Sequence, residues 1–277
     1  MIELKPINKQ IDEKEILNLL NLKGNELVFL SGSLIQGIGN RFSDIDIFVV
    51  VEDFEELKKD ETIVYNHDDI KTTFSSILGI GCDIEYWPLS TVKEIFNQIN
   101  NLDKSDIDSP TLTQLDIKGY SLNSLTSFVH RFLVGKPIHN ANIYDELKAS
   151  TNLDKFYQFM TRYYINLVDG FYNDATGNLD KGEYETALYL ARDILIKTIS
   201  AYVFSQNVTL DREKWAYLNL KNISKENKEA ARILQKVDKV LFYKNLETAE
   251  DLKENAEQII ILINNIINII SKEHGGY

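Results

Sequence analysis

Apolar positions change their period twice along the chain. Residues 11–22 repeat at helical spacing and predict a short amphipathic helix, whereas 26–31 and 45–51 are compact apolar runs that predict strands. A helix over 54–60 and strands over 62–65 and 83–87 are expected next. Pro88 stops the last of these, because proline cannot donate to a sheet ladder. Residues 103–113, DKSDIDSPTLT, are polar and rich in turn formers, which predicts a connection. Beyond them the spacing is helical over 122–133, 144–150, 155–172, 183–204, 212–220, 225–239 and 248–271. GKPIHN at 135–140 is the clearest break in that series. The pattern predicts an α+β protein with a small mixed sheet flanked by helices, followed by a helical bundle. The border falls near residue 150, separating a domain over 1–148 from one over 149–277.

One stretch does not fit a purely structural account. LVFLSGSLIQGIGNRFSDIDIFVV runs from a strand through a glycine-containing loop into a second strand that carries Asp44 and Asp46. Residues two apart on a strand share a face, so the two aspartates project together while Ile45, Ile47 and Val49 face the core. Paired carboxylates repel and raise each other's pKa. A cation between them removes that cost, and hard oxygen donors with room for water and phosphate suit Mg²⁺. Upstream, Gly32 lets the backbone approach a ligand, and Ser33 offers a hydroxyl and an amide to a phosphate oxygen. Residues 33–37 are expected to open a helix whose amino end favours an anion. GCDIEYWP supplies two further carboxylates on one face, Asp83 and Glu85. Asp83, the first polar residue after the loop, is the expected third member of the set, with Glu85 as the alternative. A phosphate site beside a metal site is the equipment of phosphoryl or nucleotidyl transfer. Replacing Asp44 or Asp46 by asparagine is then expected to abolish turnover and to leave the fold intact, by relieving repulsion.

Composition narrows the partners. The 277 residues carry a formal net charge of −12, which argues against a nucleic-acid partner and leans towards a cationic small molecule. A single cysteine, Cys82, excludes an internal disulfide and reads as core packing. His67, His130, His139 and His274 show no ligand spacing. The polar amino terminus has no apolar signal core, and the apolar window 259–270 is short and interrupted by asparagines. The expected location is the cytoplasm, with no membrane contact.

Gly32-Ser33 followed by a loop and Ser43-Asp44-Ile45-Asp46 resembles the signature of the DNA polymerase β-like nucleotidyltransferase superfamily, over about the first 90 residues. The resemblance implies that Asp44, Asp46 and Asp83 bind Mg²⁺, with two ions, and that Ser33 and Ser43 hold the triphosphate of ATP or another NTP. The helical second half is similar to that of streptomycin/spectinomycin adenylyltransferases and, less closely, of lincosamide nucleotidyltransferases. In those enzymes the substrate binds between a nucleotidyltransferase domain and a helical bundle. ALYLARDILIKTISAYV and TLDREKWAYLNL carry that likeness, although Trp215 follows Lys214 directly where the family spaces them apart. It implies that Arg192 and Lys214 bind nucleotide phosphates and that Tyr243 stacks near the base. Asp169, Glu183 and Glu185 are further candidates for gripping a cationic acceptor, and their alternative role is to complement helix dipoles. The implied activity is transfer of a nucleoside monophosphate to a hydroxyl of an aminoglycoside-type molecule, with a protein acceptor or a biosynthetic role as alternatives.

Overall fold

The computed structural model describes residues 1–20, 22–52, 54, 65–67, 70–103 and 114–274. The chain divides into two compact units, one of Met1–Asn101 with Gln114–Asn152 and a second that holds Leu102 and Asp103 together with the described residues from Leu153 on.

The first unit opens with a small hairpin of β1 (Ile2–Leu4) and β2 (Lys9–Ile11), followed by α1 (Glu13–Leu17). The helix expected over 11–22 is therefore much shorter. Ile11 is taken by the strand, where it pairs with Ile2. Asp12 then starts the helix with a capping box, its side chain accepting from Lys14 N and Glu15 reaching back to Asp12 N. Next come β3 (Leu27–Ser31), the single turn α2 (Gly32–Ile35) and β4 (Ile45–Val51). The two apolar runs were legible because all of Leu27–Ser31 is buried and nearly all of Ile45–Val51 is.

β5 (Tyr65–His67), β6 (Ile70–Ile77) and β7 (Ile80–Pro88) complete the central strands. Most of the helix expected over 54–60, the strand expected over 62–65 apart from Tyr65, and the connection expected over 103–113 apart from Asp103 lie outside the described residues. So do the side chains of His67 and His274. β6 was not anticipated, since its Thr and Ser positions break the apolar alternation. Also unanticipated was α3 (Leu89–Asn101), although Val92, Ile95, Phe96 and Ile99 bury one helical face. The unit closes with α4 (Leu122–Leu133), β8 (Lys136–His139) and α5 (Ala141–Ala149), so GKPIHN is partly an edge strand rather than only punctuation.

Strands β5-β6-β7-β4-β3-β8 form one sheet in that order. All neighbours are antiparallel except β4 and β7, which run parallel. One face buries Ile45, Ile47, Val49, Cys82 and Ile84 against Ile2, Leu4, Ile11 and Ile16 of the amino-terminal segment. The other packs Phe29 and Phe48, stacked at 4.8 Å between ring centroids, under Phe128 and Phe132 of α4. Burying both faces explains why β4 reads as an unbroken apolar run after Asp46.

The second unit is helical: α6 (Leu153–Lys181), α7 (Tyr184–Ser205), α8 (Ala216–Ile223), α9 (Lys228–Phe242) and α10 (Ala249–His274). A 3-10 turn over Glu213–Trp215 precedes α8, so the segment expected as one helix over 212–220 is split. α7 is the centre of this core, with Ala187, Ala191, Ile194, Leu195 and Tyr202 nearly inaccessible, and it packs on α6 and α10. Among the described residues no helix is long and apolar enough to cross a membrane.

Candidate active site

Strand register brings the predicted residues together. Ser31, the last residue of β3, lies opposite Asp46, and on the other side Asp46 pairs with Asp83 across the parallel β4–β7 ladder. Phe48 pairs with Glu85 in the same ladder. Residues facing each other in register point to the same side of a sheet. Asp46, Asp83 and Glu85 therefore share the face covered farther along by α4.

Gly32 is required where β3 ends. Its φ is +83°, and a Cβ there would lie 1.6 Å from Asp46 Oδ2. The glycine thus leaves one oxygen of Asp46 directly against the backbone that leads into Ser33. α2 is only one turn long, so the expected helix amino end contributes little dipole; a phosphate here would rely on individual amides and hydroxyls. Asp44 sits just before β4 and is exposed. Its Oδ1 overlies Gly81, where a Cβ would come within 2.2 Å. Ser43 shapes the approach to the strand: its Oγ accepts from Asn40 N at 3.0 Å, and Asn40 Oδ1 accepts from Phe42 N at 2.9 Å.

Burial holds the Asp83 carboxyl above its ordinary range, the neighbouring Asp44 carboxylate adds to this, and Arg131 opposes it. The same burial and the same two carboxylates push the Cys82 thiol up to about 11, which fits its place in the core.

Arg131 is the residue that sequence reasoning missed. It extends from the last turn of α4, and its Nη1 donates to Asp46 Oδ1 at 2.8 Å and lies 3.5 Å from Glu85 Oε1. The guanidinium stands 5.5 Å from the Phe48 ring centroid, and Ser31 Oγ donates to the Arg131 carbonyl at 2.7 Å. Glu85 is also engaged from its own strand, its Oε2 accepting from Trp87 Nε1 at 3.2 Å. A signal did exist: Arg131 is a cation beside Phe128 and Phe132, on a helix that otherwise buries apolar residues. The expectation that Asp46→Asn would leave the fold untouched is corrected by this pair, because it removes the carboxylate from a mostly buried guanidinium.

Whether these residues fit a divalent cation follows from their chemistry. Asp44, Asp46 and Asp83 are all oxygen donors, and the repulsion between Asp44 and Asp83 is the kind a cation relieves. Among the described residues no group of three or more His, Cys, Asp or Glu side chains is placed to hold a metal ion. Asp46 meets Arg131 instead. By donor chemistry alone, carboxylates of this kind suit an ion that keeps water and phosphate oxygens in its shell, as Mg²⁺ does.

The other predicted residues belong to the second unit. Arg192 is half-buried on α7, and its Nε has no hydrogen-bond partner among the described residues. Lys214 is exposed, with Nζ 5.2 Å from the Trp215 ring centroid, and Tyr243, just past α9, is 78% exposed. Asp169 lies within α6, and Glu183 and Glu185 flank the start of α7.

Residues 13–97 match the family model of the nucleotidyltransferase domain. The match supports nucleotidyl transfer as the general chemistry. It spans Gly32, Ser33, Ser43, Asp44, Asp46, Asp83 and Glu85, and it ends before Arg131 and the helical unit. Among solved structures, a nucleotidyltransferase-like protein from Exiguobacterium sibiricum 255-15 is similar at 10% identity, with a TM-score of 0.48 over 94% of this chain and 74% of that one. No match was found among the curated proteins.

Proposed function

We propose that this protein is a Mg²⁺-dependent nucleotidyltransferase that moves AMP from ATP to a hydroxyl of a small, aminoglycoside-type acceptor. The observation that carries this reading is the register of Asp46 against both Asp83 and the strand that runs into Gly32-Ser33, inside a matched nucleotidyltransferase domain. Asp83 is the third carboxylate in this reading. Glu85 is already held by Arg131 and Trp87, whereas Asp83 stands directly beside Asp46.

Ser33 would orient the triphosphate through its hydroxyl and amide, and Ser43, whose amide already donates to the Asn40 carbonyl at 3.0 Å, through its hydroxyl. Bound by Asp44, Asp46 and Asp83, Mg²⁺ would supply charge neutralisation at the triphosphate and acidify the acceptor hydroxyl. Asp83, which stands beside Asp46 across the β4–β7 ladder, would take the hydroxyl proton. The acceptor oxygen bonds to the α-phosphorus, the bond to the bridging oxygen breaks, and pyrophosphate leaves. The net charge of −12 supports a cationic acceptor.

The test is incubation with Mg²⁺, each labelled NTP and either an aminoglycoside panel or a protein extract, following pyrophosphate and acceptor mass. Transfer from ATP to an aminoglycoside is expected. Transfer only to proteins would replace the acceptor assignment and keep the chemistry, and absence of nucleotide binding would overturn both.

A further inference from the structure

A cavity of about 360 Å³ opens beside Asp44, where the central strands β4 and β7 begin, lined among others by Lys9, Arg41, Phe42, Ser43, Asp44 and Gly81. We propose that this cavity is an anion subsite that receives the outer phosphates of the nucleotide, gripped by Lys9 and Arg41. The inference rests on the nucleotidyltransferase reading and adds two residues to it that lie outside the strand-loop-strand signature or carry no role in it.

Each wall has a physical reason to be where it is. Ile77 pairs with Ile80 around the two-residue turn Leu78-Gly79, with φ of +50° and +74°, the geometry of a tight type I′ hairpin. Lys9 Nζ donates to the Leu78 carbonyl at 3.0 Å, tying β2 to that turn. An ammonium has three N–H donors, so this bond still leaves Lys9 able to donate to a ligand. Across the opening, the Arg41 guanidinium carbon lies 4.5 Å from the centroid of the Phe42 ring, and that ring is 78% exposed. Stacking restrains the guanidinium while its N–H groups remain for oxygen acceptors. Among the described residues neither cation has a carboxylate partner in an ion pair.

Charge selects the ligand class. Lys9 and Arg41 against Asp44 leave the rim with one net positive charge, in a chain whose formal net charge is −12. A cationic acceptor would be repelled here, and an oligophosphate would be held. Ser43 and Asp44 line this cavity and also belong to the proposed triphosphate and metal site. The phosphates beyond the reacting α-phosphorus, which depart as pyrophosphate, are therefore the anion within reach.

Calorimetric titration with magnesium pyrophosphate, with ATP and with AMP tests the assignment on wild type, Lys9→Ala, Arg41→Ala and the double variant. Both side chains are exposed, and an unchanged thermal midpoint verifies the fold of each variant. Each single change should weaken pyrophosphate and ATP by about tenfold, the double change by more, and AMP by less than about twofold. Pyrophosphate binding in the double variant within twofold of wild type would overturn the subsite, as would an equal loss for AMP. Wild type that binds neither ATP nor pyrophosphate would overturn the nucleotidyltransferase reading itself, a result separable from the other two.

Discussion

The two units hold their chemistry-bearing side chains in different ways. In the sheet unit, Asp46 is fixed from three directions: by Ser31 across β3, by Asp83 across β7, and by Arg131 at 2.8 Å. In the helical unit, Arg192, Lys214 and Tyr243 stand on separate elements, and the last two are exposed. Backbone register places side chains to within a fraction of an ångström, because every ladder hydrogen bond repeats the constraint. Helix surfaces fix only spacing along one element, so convergence has to come from packing. Precise reaction chemistry is therefore expected from the sheet unit, with adjustable recognition from the helical one.

The sharpest break of this contrast is Asp44→Asn. Asp44 is exposed, so the fold should survive, while turnover should fall by about 10³-fold or more. A steady-state assay of pyrophosphate release alongside a thermal melt checks both halves. Gly32→Ala comes next. Its new Cβ would collide with Asp46 Oδ2, and φ is +83°. The expected cost is about 2–3 kcal/mol of stability with activity lost as well. Gly37→Ala is the control: φ is +77° but nothing lies within 4 Å of the added Cβ, so only about 1 kcal/mol of backbone strain is expected. If the two variants unfold alike in denaturant, the close approach at Gly32 carries no weight.

Arg131→Gln should destabilise by about 3 kcal/mol, because it strands the Asp46 carboxylate in a mostly buried site. Adding Asp46→Asn to that variant should then cost much less than Asp46→Asn alone, which a double-mutant cycle measures.

A smaller effect concerns pH. The folded Asp83 carboxyl titrates above its ordinary value of 3.8, so the native state favours the protonated form. Its ionised form costs stability at neutral pH, and the cost disappears as pH falls through the raised value towards the ordinary one. Asp83→Asn should therefore raise the metal-free melting temperature at pH 7 by about one or two degrees and give no gain near pH 3. The smallest effect is expected in the helical unit, where Tyr243→Ala should change stability by less than about 0.5 kcal/mol.

How far the sequence was legible follows the same divide. The strand-loop-strand unit with Gly32, Ser33, Ser43, Asp44 and Asp46 could be read directly, since two continuous buried apolar runs and local turn chemistry determine it. The short α1 was overread because apolar spacing continues through Ile11, which the β1–β2 hairpin claims. Asp83 and Glu85 remained a choice in sequence, because the contact of Glu85 with Arg131 is tertiary, made only when α4 packs on the sheet. Arg131, 85 residues from Asp46, could be placed only by the packing of α4 on the sheet. Lys9 joins the cavity rim for a comparable reason, through a hydrogen bond to a turn 69 residues away.

The most direct test of the central claim follows the α-phosphate label of an NTP in the presence of Mg²⁺ and a hydroxyl-bearing acceptor panel, comparing wild type with Asp44→Asn. The account predicts a labelled nucleoside monophosphate ester and equimolar pyrophosphate from wild type, and neither from the variant. Equal product from both proteins, or no nucleotide bound by wild type, would contradict it.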